Sequence, residues 1–299
     1  MTKAPPTPKG FRDIKPEMAK KRRETINKIV SVLEDDGFIP IETPTIEFAD
    51  TLKGKYGEEE KLIYEFTDRG GRRLALRYDL TVPLARYVAT YNPPLPFRRY
   101  QIGQVFRGEK PQRGRWREFT QLDLDTVGSS ELKEDAKIIA AVLACCGALG
   151  LTDAKMQIND RKNFNGLSVA SVRALDKLDK IGEQGVISEL IDDVGSKEKA
   201  KSIFEDIKNK KPNSDTQKIL KSLEELGITE DQVEFNPLLA RGLDYYTGSI
   251  FELRLPSYGN LSLGGGGRYD NLIGSFSKED IPAVGFSFGL DRLLEIAYP

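Results

Sequence analysis

The chain has 299 residues, with 45 basic and 46 acidic side chains and no histidine. Ser-His-Asp hydrolysis, histidine general bases and histidine-ligated metals are excluded, and near-zero net charge argues against an indiscriminate nucleic-acid binder. An enzyme built on this chain must work with Arg, Lys, Asp, Glu, Tyr and backbone donors.

In chain order, a Pro-rich arm, "MTKAPPTPKG", has no apolar segment of a signal peptide, and no later run reaches membrane-spanning length. The chain therefore reads as soluble and cytoplasmic, with no membrane partner. "KPEMAKKRRETINKIVSVLEDDGF" predicts an amphipathic helix: Pro16 suits its first turn, Ile26, Ile29, Val30 and Leu33 recur at helical spacing, and Gly37 ends it. The basic run Lys20 to Arg23 reads as a solvated helix face rather than a nucleic-acid patch, because acidic residues flank it. "FIPIETPTIE" is extended and broken by Pro40 and Pro44, as in an edge or interface strand.

A hairpin is predicted from "LIYEFTD" and "RRLALRYD" around "RGG", with Ala75, Arg77 and Asp79 on one face of its second strand. Thr81 is the expected cap of the following helix, with Pro83 in its first turn. "RRYQIGQVFRG" and "REFTQLDLDTVG" form a second strand pair around the basic loop "EKPQRGRW". A helix is predicted near 131–149, and its adjacent Cys145 and Cys146 read as small core residues of a reducing compartment. From Leu167 to Asp231 the chain is rich in Lys, Asp, Glu and Leu and reads as helical throughout. Strands resume in "GSIFELRL", "LSLGGGGRYD" and "AVGFSFGL", and the helix "DRLLEIA" closes the chain. This pattern predicts an α+β fold with a mostly antiparallel sheet flanked by helices, and a helical insertion.

Three stretches carry the chemistry. In "FTQLDLD", Gln121, Asp123 and Asp125 share one strand face, although acidic residues are poor strand formers. The partner strand brings Arg107 to the same sheet, followed by Arg113, Arg115 and Arg117 in the loop. Arginines hold phosphate and carboxylate through fixed forks of donors. Carboxylates and arginines together suit a zwitterionic substrate beside a phosphate chain. "GGGGRYDNL" lacks the context of a phosphate loop or dinucleotide fingerprint; its glycines instead let a backbone or flat ligand approach the sheet. "GFSFGLDRL" places Arg292 in the first turn of a helix, an arrangement suited to an anion.

These stretches resemble the catalytic core of class II aminoacyl-tRNA synthetases, specifically the histidine-specific family in its archaeal and eukaryotic form, as Asp79 and Asp125 suggest. "GFIPIETPTIE" resembles motif 1, "RYQIGQVFRGEKPQRGRWREFTQLDLD" motif 2 and "AVGFSFGLDRL" motif 3. "LRYDLTVPLAR", "RGLDYYTG" and "GGGGRYDNL" resemble blocks peculiar to the histidine enzymes. The resemblance implies a ligase that activates histidine with ATP and transfers it to tRNA(His). It implies a homodimer, and Mg²⁺ carried on the ATP phosphates, with no metal ligand from protein side chains. Its domains would be a core over 1–166 and 232–299 interrupted by a helical insertion over 167–231. The sequence stops soon after motif 3, so the anticodon-binding domain of family members is expected to be absent.

By the same resemblance Arg241, Arg107 and Arg292 would be catalytic. Arg107, Glu109, Arg115 and Arg292 would hold ATP, and Asp79, Thr81 and Gln121 the substrate ammonium. Asp125 and Tyr246 would bind the imidazole beside Tyr245, and Lys110, Gln112 and Arg113 would reach the tRNA acceptor end. Two other readings exist on this fold: a histidine-binding regulatory paralogue of ATP phosphoribosyltransferase without ligase activity, and an inactive interaction module. Arg107, Arg241 and Arg292 kept together favour the enzyme.

Overall fold

The computed structural model describes residues 5–111, 115–259 and 262–297. Helix α1 (Pro16–Asp35) starts on its proline and buries Thr25, Ile29 and Leu33. Short strands β1 (Ile39–Pro40) and β2 (Ile46–Phe48) follow, then helix α2 (Ala49–Leu52) and the hairpin of β3 (Glu65–Thr67) and β4 (Arg73–Leu76). Helix α3 (Thr81–Tyr91) leads into the long pair β5 (Phe97–Phe106) and β6 (Glu118–Val127). Helix α4 (Leu132–Ala148) and strand β7 (Lys155–Asp160) come next. Four helices then run in succession: α5 (Val169–Asp176), α6 (Leu178–Val194), α7 (Lys197–Lys208) and α8 (Ser214–Glu225). Strands β8 (Val233–Phe235), β9 (Ser249–Arg254), β10 (Ser262–Arg268) and β11 (Ala283–Gly289) and helix α9 (Leu290–Ala297) complete the chain.

The main sheet has the order β1-β5-β6-β11-β10-β9-β7-β8, and β2-β4-β3 form a separate sheet. Only the two outermost pairs of the large sheet, β1 with β5 and β7 with β8, are parallel; the others are antiparallel. Strand alternation divides this sheet into two unlike faces. Leu122 and Leu124 of β6 lie opposite Phe288 and Phe286 of β11. All four are buried in one apolar cluster with Ile29 and Leu33 of α1, Val142 of α4, Ile219 and Leu223 of α8, and Leu293 of α9. The other face carries Gln121, Asp123 and Asp125. Helices α5 to α7 have a cluster of their own around Val172, Leu190 and Phe204, which takes in Tyr246 and, from β9, Ile250.

Three local expectations need correction. Strand alternation in the hairpin ends at Leu76, because Arg77 turns aside and donates to the carbonyls of Gln104 and Thr43, each at 2.7 Å. Thr81 is the first residue of α3 rather than its cap; the Asp79 carboxylate accepts the Val82 N–H at 3.0 Å. Arg22 does not belong to a solvated face, since it lies 2.7 Å from Asp291. Helical periodicity shows which face of α1 is polar but not what it meets.

The sheet is tied to α4 by a buried ion pair. Arg268, at the end of β10, donates to the carbonyl of Ser129 at 3.0 Å and of Glu131 at 3.3 Å, and pairs with Asp135. Asp135 is fully buried and also accepts from the Ser249 hydroxyl. Without Asp135, Arg268 keeps only the more exposed Asp270 at 3.2 Å, and breaking a buried pair of this kind costs about 3–5 kcal/mol. Asp135→Ala is accordingly expected to lower unfolding free energy by about that amount in urea titrations; a loss under about 1 kcal/mol would contradict this role for the pair.

Candidate active site

The polar face of the sheet forms the floor of a cavity of about 520 Å³. Its rows follow from strand register. Asp123 of β6 lies opposite Ser287 of β11, Ser287 opposite Gly265 of β10, and Gly265 opposite Glu252 of β9. In the neighbouring row Asp125 faces Gly285, which faces Gly267. The small residues make room: a Cβ on Gly285 would collide with the Asp125 carboxylate, and one on Gly265 with the Arg241 guanidinium.

One end of the cavity is acidic. Asp79 accepts from the Tyr56 hydroxyl at 2.9 Å and from Val82 N–H through Oδ1. Gln121 donates to Ser287 at 2.8 Å. Asp79 Oδ2, Gln121 Oε1 and Asp123 Oδ1 are buried without a hydrogen-bond partner among the described residues. Buried acceptors of this kind are costly unless a donor reaches them. Burial pushes the Asp123 carboxyl up to about 7, against the opposing pull of Arg99 and helped by the charge of Asp125. Asp125 is raised by burial as well, but Arg99 lies 2.7 Å from it and the Tyr269 hydroxyl donates to its other oxygen. Arg99 itself is wholly buried.

The other end is basic. The Arg107 guanidinium sits 4.4 Å from the Tyr78 ring and 5.0 Å from the Phe119 ring. Arg292 donates to the Ser262 carbonyl at 2.6 Å, and Arg115 is 3.6 Å from Glu109. Burial lowers the Arg292 pKa, and the like charges of Arg115 and Arg107 lower it further. Three guanidiniums crowded in this way favour a bound anion. Between the two ends, Arg241 lies 3.2 Å from Glu252. Burial alone would pull its pKa down, but Tyr246, Glu252 and Asp176 outweigh it and hold the group charged.

Of the residues singled out in the sequence, Asp79, Thr81, Arg107, Glu109, Arg115, Gln121, Asp125, Arg241, Tyr245, Tyr246 and Arg292 all line this one cavity. Lys110 is exposed and is not part of its wall. Gln112 and Arg113 lie outside the described residues. Tyr245 packs against Tyr246 with ring centroids 4.9 Å apart and meets the edge of Tyr269 at 6.0 Å. Sequence reasoning missed Arg99 and Tyr269 as partners of Asp125, and Glu252 as partner of Arg241. For Arg99 the signal was strand register, since it pairs with Asp125 across β5 and β6.

A family model described as Histidyl-tRNA synthetase matches residues 10–180 and 161–293. The histidine–tRNA ligase of Aeropyrum pernix is 42% identical over 321 residues, covering 97% of this chain and 74% of its own length. That of Treponema denticola is also 42% identical, over 96% of this chain and 72% of its own. The crystal structure of histidyl-tRNA synthetase from Nostoc sp. PCC 7120 matches with a TM-score of 0.82 at 30% identity, over 97% of this chain and 74% of that one. Agreement of family model, sequence and fold over nearly the whole chain places it in the histidyl-tRNA synthetase family.

Proposed function

We propose that this chain is the catalytic core of a histidine–tRNA ligase, forming histidyl-adenylate from histidine and ATP and passing the histidyl group to tRNA(His). The observation that carries the reading is the ordering of charge along β10. Arg292 anchors at Ser262, Arg241 lies over Gly265, and Tyr246 packs beside Gly267 in the row of Asp125. At ~3.3 Å per residue these stations span roughly 16 Å, enough for an amino acid joined end to end with a nucleotide phosphate chain.

The three partnerless oxygens of Asp79, Gln121 and Asp123, beside Thr81, would receive the α-ammonium. Asp125 and Tyr246 would hydrogen-bond the two imidazole nitrogens, with Tyr245 as the wall. Arg241 would then meet the substrate carboxylate and the α-phosphate together, while Arg107 and Arg292 take the outer phosphates. Arg115 and Glu109 would hold the remainder of ATP. A carboxylate oxygen attacks the α-phosphorus, the bond to the bridging oxygen breaks, and pyrophosphate leaves with that electron pair. The nucleophile is already an anion, so no protein base is required, in keeping with a chain without histidine. Catalysis is alignment together with neutralisation of charge developing at phosphorus. Mg²⁺ is assigned to the ATP phosphates, where it would add positive charge. A ribose hydroxyl of the tRNA end would then attack the acyl carbon; the bond from that carbon to the phosphate oxygen breaks, and the hydroxyl proton leaves with the departing AMP. Lys110, Gln112 and Arg113 are assigned to that RNA end.

The core is taken as 1–166 with 232–299, and 167–231 as a helical insertion. No helix among the described residues is long and apolar enough to cross a membrane; a cytoplasmic location belongs to the same proposal. So does a homodimer. In the small sheet Phe48 lies opposite Leu74, and Leu74 opposite Phe66. Ile46, Phe48 and Phe66 are 44%, 56% and 42% exposed, an apolar face suited to a twofold copy of itself.

Arg241→Ala is expected to reduce histidine-dependent pyrophosphate exchange about 10²-fold or more while the denaturation midpoint holds; near-normal turnover would reject its role. Asp125→Asn removes a charged acceptor and is expected to weaken histidine binding about tenfold or more. ATP binding should change little, and separate calorimetric titrations showing equal losses would move Asp125 out of the side-chain pocket. Phe48→Lys should convert a sedimenting dimer to monomer at micromolar concentration. A wild-type chain that sediments as monomer there would sink the dimer.

A further inference from the structure

The nucleotide end of the cavity is held together from outside by the N-terminal arm. Asp291, next to Arg292 in the first turn of α9, accepts the Thr120 N–H at 2.8 Å. Its other oxygen receives Arg12 at 2.6 Å and Arg22 at 2.7 Å. Arg22 also reaches the Thr120 hydroxyl, one residue before Gln121. Arg12 lies over the Trp116 ring at 4.5 Å, and Trp116 lines the cavity beside Arg115. The backbone follows the same path: Gly10 accepts the Arg117 N–H at 2.9 Å, and Arg117 donates to Glu109 at 2.9 Å. Gly10 has φ +89, and a Cβ there would meet Arg117 at 2.8 Å and Pro111 at 2.9 Å. Phe11 extends the contact to Tyr64, with ring centroids 6.4 Å apart.

We propose that the arm is a strap for the nucleotide end, and that Arg12 is a positioning residue for ATP. Arg12 does not line the cavity. It grips at once the helix that presents Arg292 and the loop base that presents Arg115. The two groups come from elements more than 170 residues apart in sequence, and the carboxylate of Asp291 with the ring of Trp116 sets their separation. A planar guanidinium serves both partners, pairing in its plane and stacking on its face, which an ammonium does less well.

The inference rests on the nucleotide reading above, and its test has a separate readout. Trp116 is the single tryptophan of the chain, so its fluorescence can follow titration with ATP alone, without turnover. Arg12→Ala is expected to shift its emission and weaken ATP binding about tenfold, with histidine affinity unchanged within about twofold. In pyrophosphate exchange the same variant should raise KM for ATP, with a smaller effect on KM for histidine. Arg12→Lys keeps the charge beside Asp291 but loses the flat stack, and should fall between, at about threefold. Unchanged ATP affinity in both variants, or equal weakening of histidine and ATP, would overturn the positioning role. Absence of histidine-dependent exchange in the wild-type chain, with ATP still quenching or shifting Trp116, would instead count against the ligase reading and leave the strap standing.

Discussion

A guanidinium can lie flat on a β-strand only where that strand has no side chains. Arg241 occupies such a place over Gly265, and the rest of the site is arranged around it. The glycines of β10 do two jobs by alternation. Gly265 and Gly267 clear the polar face, while a Cβ on Gly264 would press into the Phe286 ring on the core side, at 2.7 Å. The four glycines thus let a charged layer and an apolar layer approach the same strand from opposite sides. The cost is a central strand with weak intrinsic preference for extended structure, offset by full pairing with β9 and β11.

That arrangement explains why some of the molecule could be read from the chain and some could not. The period-two pattern of Gln121, Asp123 and Asp125 against Leu122 and Leu124 is local, and it identified both the strand and its polar face. The helical pattern of α1 and the helical character of 169–225 are equally local. Arg99 was invisible because its environment depends on which strand lies beside it. "RRYQIGQ" gives no sign that one arginine is half-buried against Glu134 and the next is entombed beside Asp125. Asp79 was given the substrate and Thr81 the cap, and only the backbone turn after Leu76 shows Asp79 taking the Val82 N–H as well. The same holds for Arg22, whose acidic partner lies 269 residues away.

The acidic end is not a simple sum of negative groups. Arg99 is wholly buried and shared by Asp123 and Asp125, while Tyr269 satisfies a second oxygen of Asp125. Asp125 is thereby fixed in orientation with its charge partly balanced. Asp79, Asp123 and Asp125 each keep one oxygen without a hydrogen-bond donor among the described residues, although that of Asp125 has the Arg99 charge beside it. Asp125 differs from Asp79 and Asp123 in having a buried guanidinium within 2.7 Å.

The raised pKa of Asp123 links this pocket to folding. Its carboxyl titrates near 7 in the fold against 3.8 in an ordinary setting, so between those values the folded chain holds a proton more firmly than the unfolded one. Stability contributed by that proton is therefore lost as pH rises through this window, and at neutral pH the fold carries part of the cost of a buried charge. A ligand ammonium beside Asp123 would cancel that cost by acting as a counter-ion inside the core. A bound cation there would therefore displace a fraction of a proton near neutral pH and add to the stability of the fold.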